Sequence, residues 1–369
     1  MISIEMLPAA HGDSLWIEYG SADKVHRVLI DGGPAPTYEA GLRRRIADLP
    51  EDKRIFELMV VTHIDADHID GSLILLQQQE LDKLKIDIKE LWFNGWGQLP
   101  KTEGAPEVYA PLQGEFLGGL ITVDPKLKGS WNRHFHNQAV FVPQSGPLTE
   151  VKLDGGAKLT LLGPTDAELK RLRARWASAI RDFSPGDVNE ALRRLRERRE
   201  YRPPSTPAVY AVRQYGDDRT PANGSSISFI FEYEGIKILL PGDAHATTLA
   251  ASLKRLADQQ SLTKLRFDAV KLPHHGSMNN VNDAWLELVD CEKWLISTNG
   301  AVFNHPDKET AELIARHCQK PPQLLCNYRS ASTEKLLLPP DNQKWITTFP
   351  EGETIGPTGG LKLSWPANG

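Results

Sequence analysis

The fold of this chain is decided by residues 60–71, which read VVTHIDADHIDG. A hydrophobic strand leads directly into two histidines and two aspartates, at His63, Asp65, Asp67 and His68. Imidazole nitrogens and carboxylate oxygens are ligands of first-row metals. Any one of these residues alone is common in turns and helix caps. Because all four follow a strand of buried type on one tight loop, the stretch predicts a site that faces two neighbouring metal ions.

This loop resembles that of a known superfamily. The motif His63-x-Asp65-x-Asp67-His68 followed by Gly71 resembles the metal loop of the metallo-β-lactamase superfamily, in the variant where aspartate replaces the second histidine. That variant is similar to the hydrolase domain of the DNA-uptake channel protein ComEC and its stand-alone relatives. The resemblance implies an α/β fold, the αββα metallo-β-lactamase sandwich, and two divalent metal ions, Zn²⁺ or Mn²⁺, as cofactors.

Length and composition set limits on this interpretation. The 369 residues suffice for one domain with a sizeable insertion or for two domains. A formal net charge of -5 gives no support to general nucleic-acid affinity, so such a partner would need a local basic patch. No window approaches the roughly 20 apolar residues that cross a bilayer, and we expect a cytoplasmic protein without a membrane partner. Cys291, Cys318 and Cys326 form no C-x-x-C pair, which argues against a thiolate zinc site.

The first part of the chain reads as strands. Alternating apolar residues in 2–7, 15–19 and 25–30, separated by glycine-bearing turns, predict an antiparallel meander with one buried face. The third run ends at Asp31, which by the resemblance orients a metal-ligating histidine, although a plain Asp-Gly-Gly turn explains it equally well. His11 and Asp13 are candidates for the rim of the site. Strands that alternate with helices further on favour sheets covered by helices.

The middle of the chain falls outside the resemblance. We divide the chain into 1–94, an insertion at 95–222 and 223–369, the outer parts being the two halves of the fold. Residues 166–203 are helical and rich in arginine, and Arg193, Arg194, Arg196 and Arg198 are the candidates for nucleic-acid binding. They could follow a phosphate backbone. Because glutamates are interleaved with them, they could equally form a solvated helical hairpin with i,i+4 ion pairs.

The second half repeats the pattern of an apolar strand followed by polar residues. One strand ends at Pro241-Gly242-Asp243, and another leads into Pro273-His274-His275-Gly276-Ser277, the string that is most similar to ComEC-type domains. The superfamily's third motif usually contains a histidine, whereas this chain has Asn223 or Ser225 in the corresponding stretch, and we expect Asn223 to lie behind the ligands. The superfamily closes its site with a His-Pro pair, which matches His305 here.

The resemblance implies a role for each candidate. The first ion would be bound by His63 and Asp65, the second by Asp67, His68 and His275, with Asp243 between the two. Asp67 would also orient the nucleophile or take its proton, and His274 or His305 would stabilise developing charge or protonate the leaving group.

Three functions remain open. The leading one is a metal-dependent hydrolase, a phosphodiesterase or nuclease that acts on DNA through a hydroxide activated by two ions. The first alternative is a small-molecule hydrolase of the lactonase or phosphocholine-esterase type, with the insertion as a lid. The second is a non-catalytic scaffold partner, which the near-complete ligand set disfavours.

Overall fold

The structure, a computed structural model, describes residues 1–100, 111–179, 183–202, 220–340, 344–351 and 359–366. Its strands are β1 (Ile2–Met6), β2 (Leu15–Gly20), β3 (Val25–Ile30), β4 (Ile55–Phe56), β5 (Leu58–Val60), β6 (Asp87–Ile88), β7 (Leu91–Trp92), β8 (Glu150–Lys152), β9 (Lys158–Gly163), β10 (Ser228–Tyr233), β11 (Ile236–Leu240), β12 (Leu265–Phe267), β13 (Ala269–Lys271), β14 (Val289–Cys291), β15 (Lys293–Ile296), β16 (Gln323–Cys326), β17 (Ile346–Thr348) and β18 (Leu361–Trp365).

Its α-helices are α1 (Arg44–Ala47), α2 (Ala66–Leu75), α3 (Gln78–Leu84), α4 (Pro111–Val123), α5 (Pro125–Ser130), α6 (Asp166–Ala179), α7 (Val188–Glu197), α8 (Pro221–Gly224), α9 (Ala246–Gln259), α10 (Asp283–Leu286) and α11 (Lys308–His317). In the part of the chain that the structure describes, no helix has the length and apolarity required to cross a bilayer.

Most strands belong to two large sheets. The first has the order β18-β1-β2-β3-β5-β7 and the second the order β17-β16-β15-β13-β11-β10-β9-β8. The first sheet is antiparallel from β18 to β3 and parallel from β3 to β7. In the second sheet β17 to β11 are parallel and β11 to β8 are antiparallel. The carboxyl ends of the parallel strands therefore lie together at one edge of each sheet.

The two sheets pack face to face. Because alternate side chains of a strand point to opposite faces, one face of β2 and one of β10 can meet in a common core. The ring of Tyr19 lies 5.5 Å from that of Phe231, and the ring of Trp92 lies 6.0 Å from that of Phe229. These contacts join the first sheet to the second in one buried apolar cluster.

Helices cover the outer faces of the sheets. On the first sheet, Trp16 and Met59 pack in a second cluster with Ile69 of α2 and Phe116 of α4. On the second sheet, Leu253 of α9 joins the apolar cluster that contains that sheet. The αββα sandwich expected from the sequence is confirmed.

The range 95–222 is not a continuous insertion. Strands β8 and β9 lie inside it, and β9 pairs with β10 as an integral part of the second sheet. Helices α4, α6 and α7 also lie inside it and contribute to the buried cluster on the outer face of the first sheet. The expectation is therefore corrected for residues 150–163, whose alternating apolar side chains complete the core. Residues 180–182 and 203, which belong to the expected helical range 166–203, lie outside the described residues.

Candidate metal centre

The candidate ligands lie where parallel strands end. Strand β5 leads into the loop that carries His63, β11 into Asp243, and β13 into the turn with His274 and His275. The loops are joined by backbone hydrogen bonds: Ile227 donates to the carbonyl of Thr62 (3.0 Å) and His274 to that of Gly242 (3.2 Å). Ligand loops from both halves of the chain therefore meet at one edge of the sandwich, as the sequence pattern predicts.

Helix α2 begins inside the metal loop. Asp65 is its N-cap residue, with extended backbone angles, so Asp67 and His68 lie in the first helical turn. The helix packs closely against the turn after β3. A Cβ atom added at Gly71 of the helix would lie only 2.0 Å from the carbonyl oxygen of Gly32 in that turn. Only glycine permits this approach of two backbones.

Four side chains form a closed ring of ligand atoms. His275 Nε2 lies 3.3 Å from Asp67 Oδ2 and 3.8 Å from Asp243 Oδ2. His68 Nε2 lies 3.9 Å from Asp67 Oδ2 and 3.3 Å from Asp243 Oδ2. Nitrogen and oxygen ligands arranged tetrahedrally about a zinc ion lie about 3.3–3.5 Å apart. The two 3.3 Å spacings match this range and the other two are a few tenths of an ångström longer, so small side-chain shifts would let the ring close on one divalent cation.

Hydrogen bonds behind the ring set the orientation of two histidines. His68 Nδ1 lies 2.8 Å from Asp31 Oδ2, and His275 Nδ1 lies 2.9 Å from the carbonyl oxygen of Ser297. A carbonyl oxygen can only accept, so the proton of His275 is on Nδ1. In both rings Nε2 is left as the atom that faces the carboxylates, where it binds either a proton or a metal ion.

The ring of His63 is also oriented by hydrogen bonds of its Nδ1, in this case with two hydroxyl groups. The Thr62 hydroxyl donates to Asp31 Oδ2 (2.7 Å), so its oxygen accepts from His63 Nδ1 at 3.0 Å. Ser226 Oγ lies 3.3 Å from the same nitrogen and accepts from the backbone N–H of Asp243 at 3.1 Å. His63 therefore also presents Nε2 to the centre, where it lies 3.7 Å from Asp65 Oδ2.

The electrostatics of the ring favour a cation. Burial raises the pKa of Asp67 and of Asp243, but the charge of His68 and the further histidine contacts bring each below its usual range. Burial lowers the pKa of His275, but Asp13 and Asp243 raise it to about 9. Positive charge on this ring is thus stabilised by its carboxylates, as a proton in the metal-free protein or as a metal ion.

The buried atoms of the centre also fit a metal. Within the described residues, Nε2 of His63, His68 and His275 and Oδ1 of Asp243 are buried without a hydrogen-bond partner. Buried polar atoms are rarely left in this state. The groups that could hold an ion, again among described residues, are His63-His68-Asp243, Asp67-His68-His275 and Asp13-Asp31-His68. The third group lies behind the ring, where Asp31 and Asp13 hold the histidines.

Asp13 lies beneath the centre, not at its rim. It is 1% exposed, and its Oδ1 lies 3.4 Å from His275 Nδ1. Its Oδ2 accepts from Lys271 Nζ at 2.6 Å, and Lys271 is completely buried. Sequence reasoning missed Lys271, although a lysine within the apolar run 267–272 was a usable signal. The Lys271–Asp13 ion pair connects the turn between β1 and β2 to β13, the strand that precedes His275.

The remaining histidine candidates, His274 and His305, lie next to the ring of ligand atoms. His274 Nε2 lies 3.8 Å from Asp243 Oδ2. The ring of His305 packs 5.4 Å from that of His274, and its Nδ1 lies 3.5 Å from Asp307 Oδ1. Burial lowers the pKa of His305, an effect that the charge of His274 reinforces. The ring of His305 thus contacts the centre through His274.

Asn223, the residue expected behind the ligands, is buried. It belongs to helix α8, and its backbone carbonyl oxygen accepts a hydrogen bond from the N–H of Ser226 at 3.0 Å. The side chain of Ser226, three residues further along the chain, contacts His63 Nδ1 at 3.3 Å. The assignment of Asn223 as a residue behind the ligands stays a prediction.

The arginines proposed for nucleic-acid binding are paired with glutamates. Arg193 and Arg194 both donate to Glu190, and Arg193 also contacts Glu197. Arg198 lies 3.5 Å from Glu200. This is the arrangement of a solvated helix with i,i+3 and i,i+4 ion pairs. Arg196 lies on the same helix and is exposed.

Comparisons with known proteins give only distant likenesses. No protein-family model and no curated protein matches the chain. Among solved structures, the chain is similar to CmlA β-hydroxylase, with 11% identity, a TM-score of 0.42, and coverage of 99% of this chain and 54% of that one. CmlA is described as a diiron β-hydroxylase from Streptomyces venezuelae. This chain thus spans about half the length of that protein.

Two further neighbours match over nearly their whole length. One, from Thermotoga maritima, is described as a Zn-dependent hydrolase of the metallo-β-lactamase superfamily, with 9% identity, a TM-score of 0.29, and coverage of 94% of this chain and 98% of that one. The other is a diphosphatase of the PhnP family, with 13% identity, a TM-score of 0.36, and coverage of 99% and 98%. Identities this low say nothing about the substrate of this chain.

Proposed function

We propose that this chain is a metal-dependent hydrolase that holds two divalent cations, Zn²⁺ or Mn²⁺, at the edge of its sandwich. The observation that carries the proposal is that two groups of ligand atoms, His63-His68-Asp243 and Asp67-His68-His275, lie side by side, joined by the ring of Asp67, His68, Asp243 and His275, in which neighbouring ligand atoms are 3.3–3.9 Å apart. Asp31 and Ser297 fix the two histidine rings from behind. A pair of cations in such a site lowers the pKa of water toward 7 and stabilises charge that develops on oxygen.

We propose a phosphodiester as the substrate class. His63 and His68 both lie close to Asp243, so one carboxylate can be shared by two neighbouring cation sites. A pair of cations suits phosphoryl transfer, because negative charge develops on both the attacking and the leaving oxygen. DNA is the diester suggested by the resemblance of the metal loop to ComEC-type domains.

A second candidate is a small phosphodiester or another small ester. The ion pairs of Arg193 and Arg194 with Glu190 favour it, because they reduce the positive charge that a nucleic-acid backbone would meet. Both candidates use the same metal centre. They differ in whether the arginine-bearing helix α7 contributes to turnover.

The test is a hydrolysis panel with defined metal content. The metal-free protein is loaded with Zn²⁺ or Mn²⁺ and incubated with single-stranded DNA, double-stranded DNA, a chromogenic bis-aryl phosphate and a lactone. Cleavage of DNA that is weakened by Arg194→Glu and Arg198→Glu supports the nuclease. Cleavage of the small diester alone supports the second candidate, and no hydrolysis of any substrate by the loaded protein contradicts the proposed function.

A matched control separates local from general charge effects. Lys320 is an exposed lysine that lies 2.7 Å from Glu292, before the first residue of β16 and so at the opposite edge of the sheet from the metal centre. Lys320→Glu changes the net charge by the same amount as either arginine variant. If it reduces DNA cleavage equally, the arginines of α7 have no specific role.

A further inference from the structure

Phe303 differs from the other phenylalanines of this chain in that it takes no part in the apolar core. All eleven phenylalanines lie in the described part of the chain, and ten of them belong to or pack against one of the two buried apolar clusters. Phe303 is in neither cluster and is half-buried. Aromatic rings are common in the lining of ligand sites. The position of this ring therefore needs an explanation other than core packing.

Phe303 lies in a row of four rings. Its ring centroid is 6.1 Å from that of His11 and 6.2 Å from that of His305. The ring of His305 in turn lies 5.4 Å from that of His274. Separations in this range are those of favourable aromatic pairs. These four side chains form a continuous surface, which we call the aromatic row.

The aromatic row lies next to the metal centre. At one end, His274 Nε2 lies 3.8 Å from Asp243 Oδ2. At the other end, His11 precedes Gly12, whose backbone packs closely on the metal loop. A Cβ atom added at Gly12 would lie 1.9 Å from the carbonyl oxygen of Asp67. Both ends of the row thus lie beside residues of the centre.

Hydrogen bonds hold the loop that carries Phe303 in place. Before Phe303, the backbone N–H of Asn299 donates to the carbonyl oxygen of Ala10 at 2.7 Å, which ties the loop to the turn between β1 and β2. After Phe303, the N–H of Asp307 donates to the carbonyl oxygen of Gly276 at 3.1 Å, in the turn with the two histidines. Because the loop is held on both sides, little conformational freedom is lost when a ligand contacts its ring.

We propose that Phe303 determines substrate specificity by stacking on a planar aromatic group, a nucleobase or an aryl group, that is attached to the phosphodiester. The exposed part of its ring is available for stacking, which is tolerant of sequence because every base has a π-face. In a nucleotide one sugar separates the base from the phosphate, and in the aromatic row one ring, that of His305, separates Phe303 from His274. The inference rests on the proposed function, since it requires the phosphate to lie at the metal centre.

The test compares two matched pairs of monophosphates that bind to the metal-loaded protein. Deoxyadenosine 5′-monophosphate and deoxyribose 5-phosphate differ only in the base, and phenyl phosphate and methyl phosphate differ in the aryl ring. The affinity of each is measured by calorimetric titration of the wild type, Phe303→Leu and Phe303→Tyr. Leucine is apolar but has no π-face, whereas tyrosine keeps the ring. Metal content and thermal unfolding are measured for every variant.

In the wild type we expect the aromatic member of at least one pair to bind about 5- to 150-fold more tightly than its ring-free counterpart, which is the range contributed by stacking on one aromatic side chain. Phe303→Leu should remove most of this preference without changing the affinity for the ring-free compounds or the metal content. Phe303→Tyr should retain the preference. A preference in the nucleotide pair identifies a nucleobase as the group recognised, and a preference confined to phenyl phosphate identifies an aryl ester.

Phe183→Leu is the matched control. Phe183 is also half-buried, but it packs against the apolar cluster on the outer face of the first sheet. The substitution is the same as at residue 303, and we expect the preference for aromatic phosphates to survive it.

Equal affinities within both pairs in the wild type would overturn the inference and leave the proposed function standing. So would a preference that Phe303→Leu leaves unchanged, or one that Phe183→Leu reduces equally. Loss of metal from Phe303→Leu would show that the ring supports the centre and would overturn its assignment to the substrate. A wild-type protein that binds no divalent cation would overturn the proposed function itself.

Discussion

The buried ion pair beneath the metal centre gives the sharpest prediction about stability. Lys271 Nζ donates to Asp13 Oδ2 at 2.6 Å and to the carbonyl of Leu272 at 3.0 Å, and neither charged side chain reaches solvent. Lys271→Met keeps most of the apolar stem but removes the cation at Asp13 Oδ2, so that the buried carboxylate has only His275, 3.4 Å from Oδ1, beside it. Removing one partner of a buried pair costs about 3–5 kcal/mol. This is a large part of a total stability of about 5–15 kcal/mol.

The assay is urea unfolding of the metal-free protein in four forms: wild type, Lys271→Met, Asp13→Asn and the double variant. Each single variant removes one charge of the Lys271–Asp13 pair and leaves the other buried, whereas the double variant removes both charges of the pair. We therefore expect the double variant to be less destabilised than the sum of the single variants by up to about 3 kcal/mol. Lys320→Met is the control, because its exposed pair with Glu292 should contribute no more than about 1 kcal/mol.

The same variants test whether the pair holds the centre in place. Asp13 Oδ1 lies 3.4 Å from His275 Nδ1, so loss of the pair should also weaken metal binding. A loss of less than about 1 kcal/mol in Lys271→Met, or strictly additive effects in the double variant, would refute the reasoning that two mutually dependent charges are buried here.

Three further outcomes are expected. Asp67→Ala should abolish turnover and leave the circular dichroism spectrum unchanged, and retained hydrolysis would contradict its place in the ring. Asp31→Ala removes the acceptor behind His68 and should lower metal affinity about 10- to 100-fold by titration calorimetry, whereas unchanged affinity would show that the ring needs no such support. The pKa of His275 is raised from 6.5 to about 9, so its contribution to the stability of the metal-free protein is complete below pH 6.5 and is lost as the pH rises through 9. The melting temperature in chelator should therefore fall between pH 7 and pH 10 while metal affinity rises, and a flat profile in chelator would count against the raised pKa.

Part of the centre could be predicted because it is local in the chain. His63, Asp65, Asp67 and His68 lie within six residues after a buried strand, so no folding of the rest of the chain can separate them. The same pattern of an apolar strand followed by polar residues pointed to Asp243 and to the two histidines at 274 and 275. Parallel strands end at a common edge, and for that reason the pattern was informative in each case.

Tertiary structure alone decided which distant residues meet. Asp13 and Lys271 are 258 residues apart, and neither shows by itself that the other compensates its charge. The contact of Ser226 Oγ with His63 Nδ1 likewise joins residues that are 163 positions apart in the chain. The sequence alone thus determined which kinds of ligand this protein offers on one short loop. Long-range strand pairing decided which further groups surround them, because the free energy of a buried charge depends on a partner brought to it only by the complete fold.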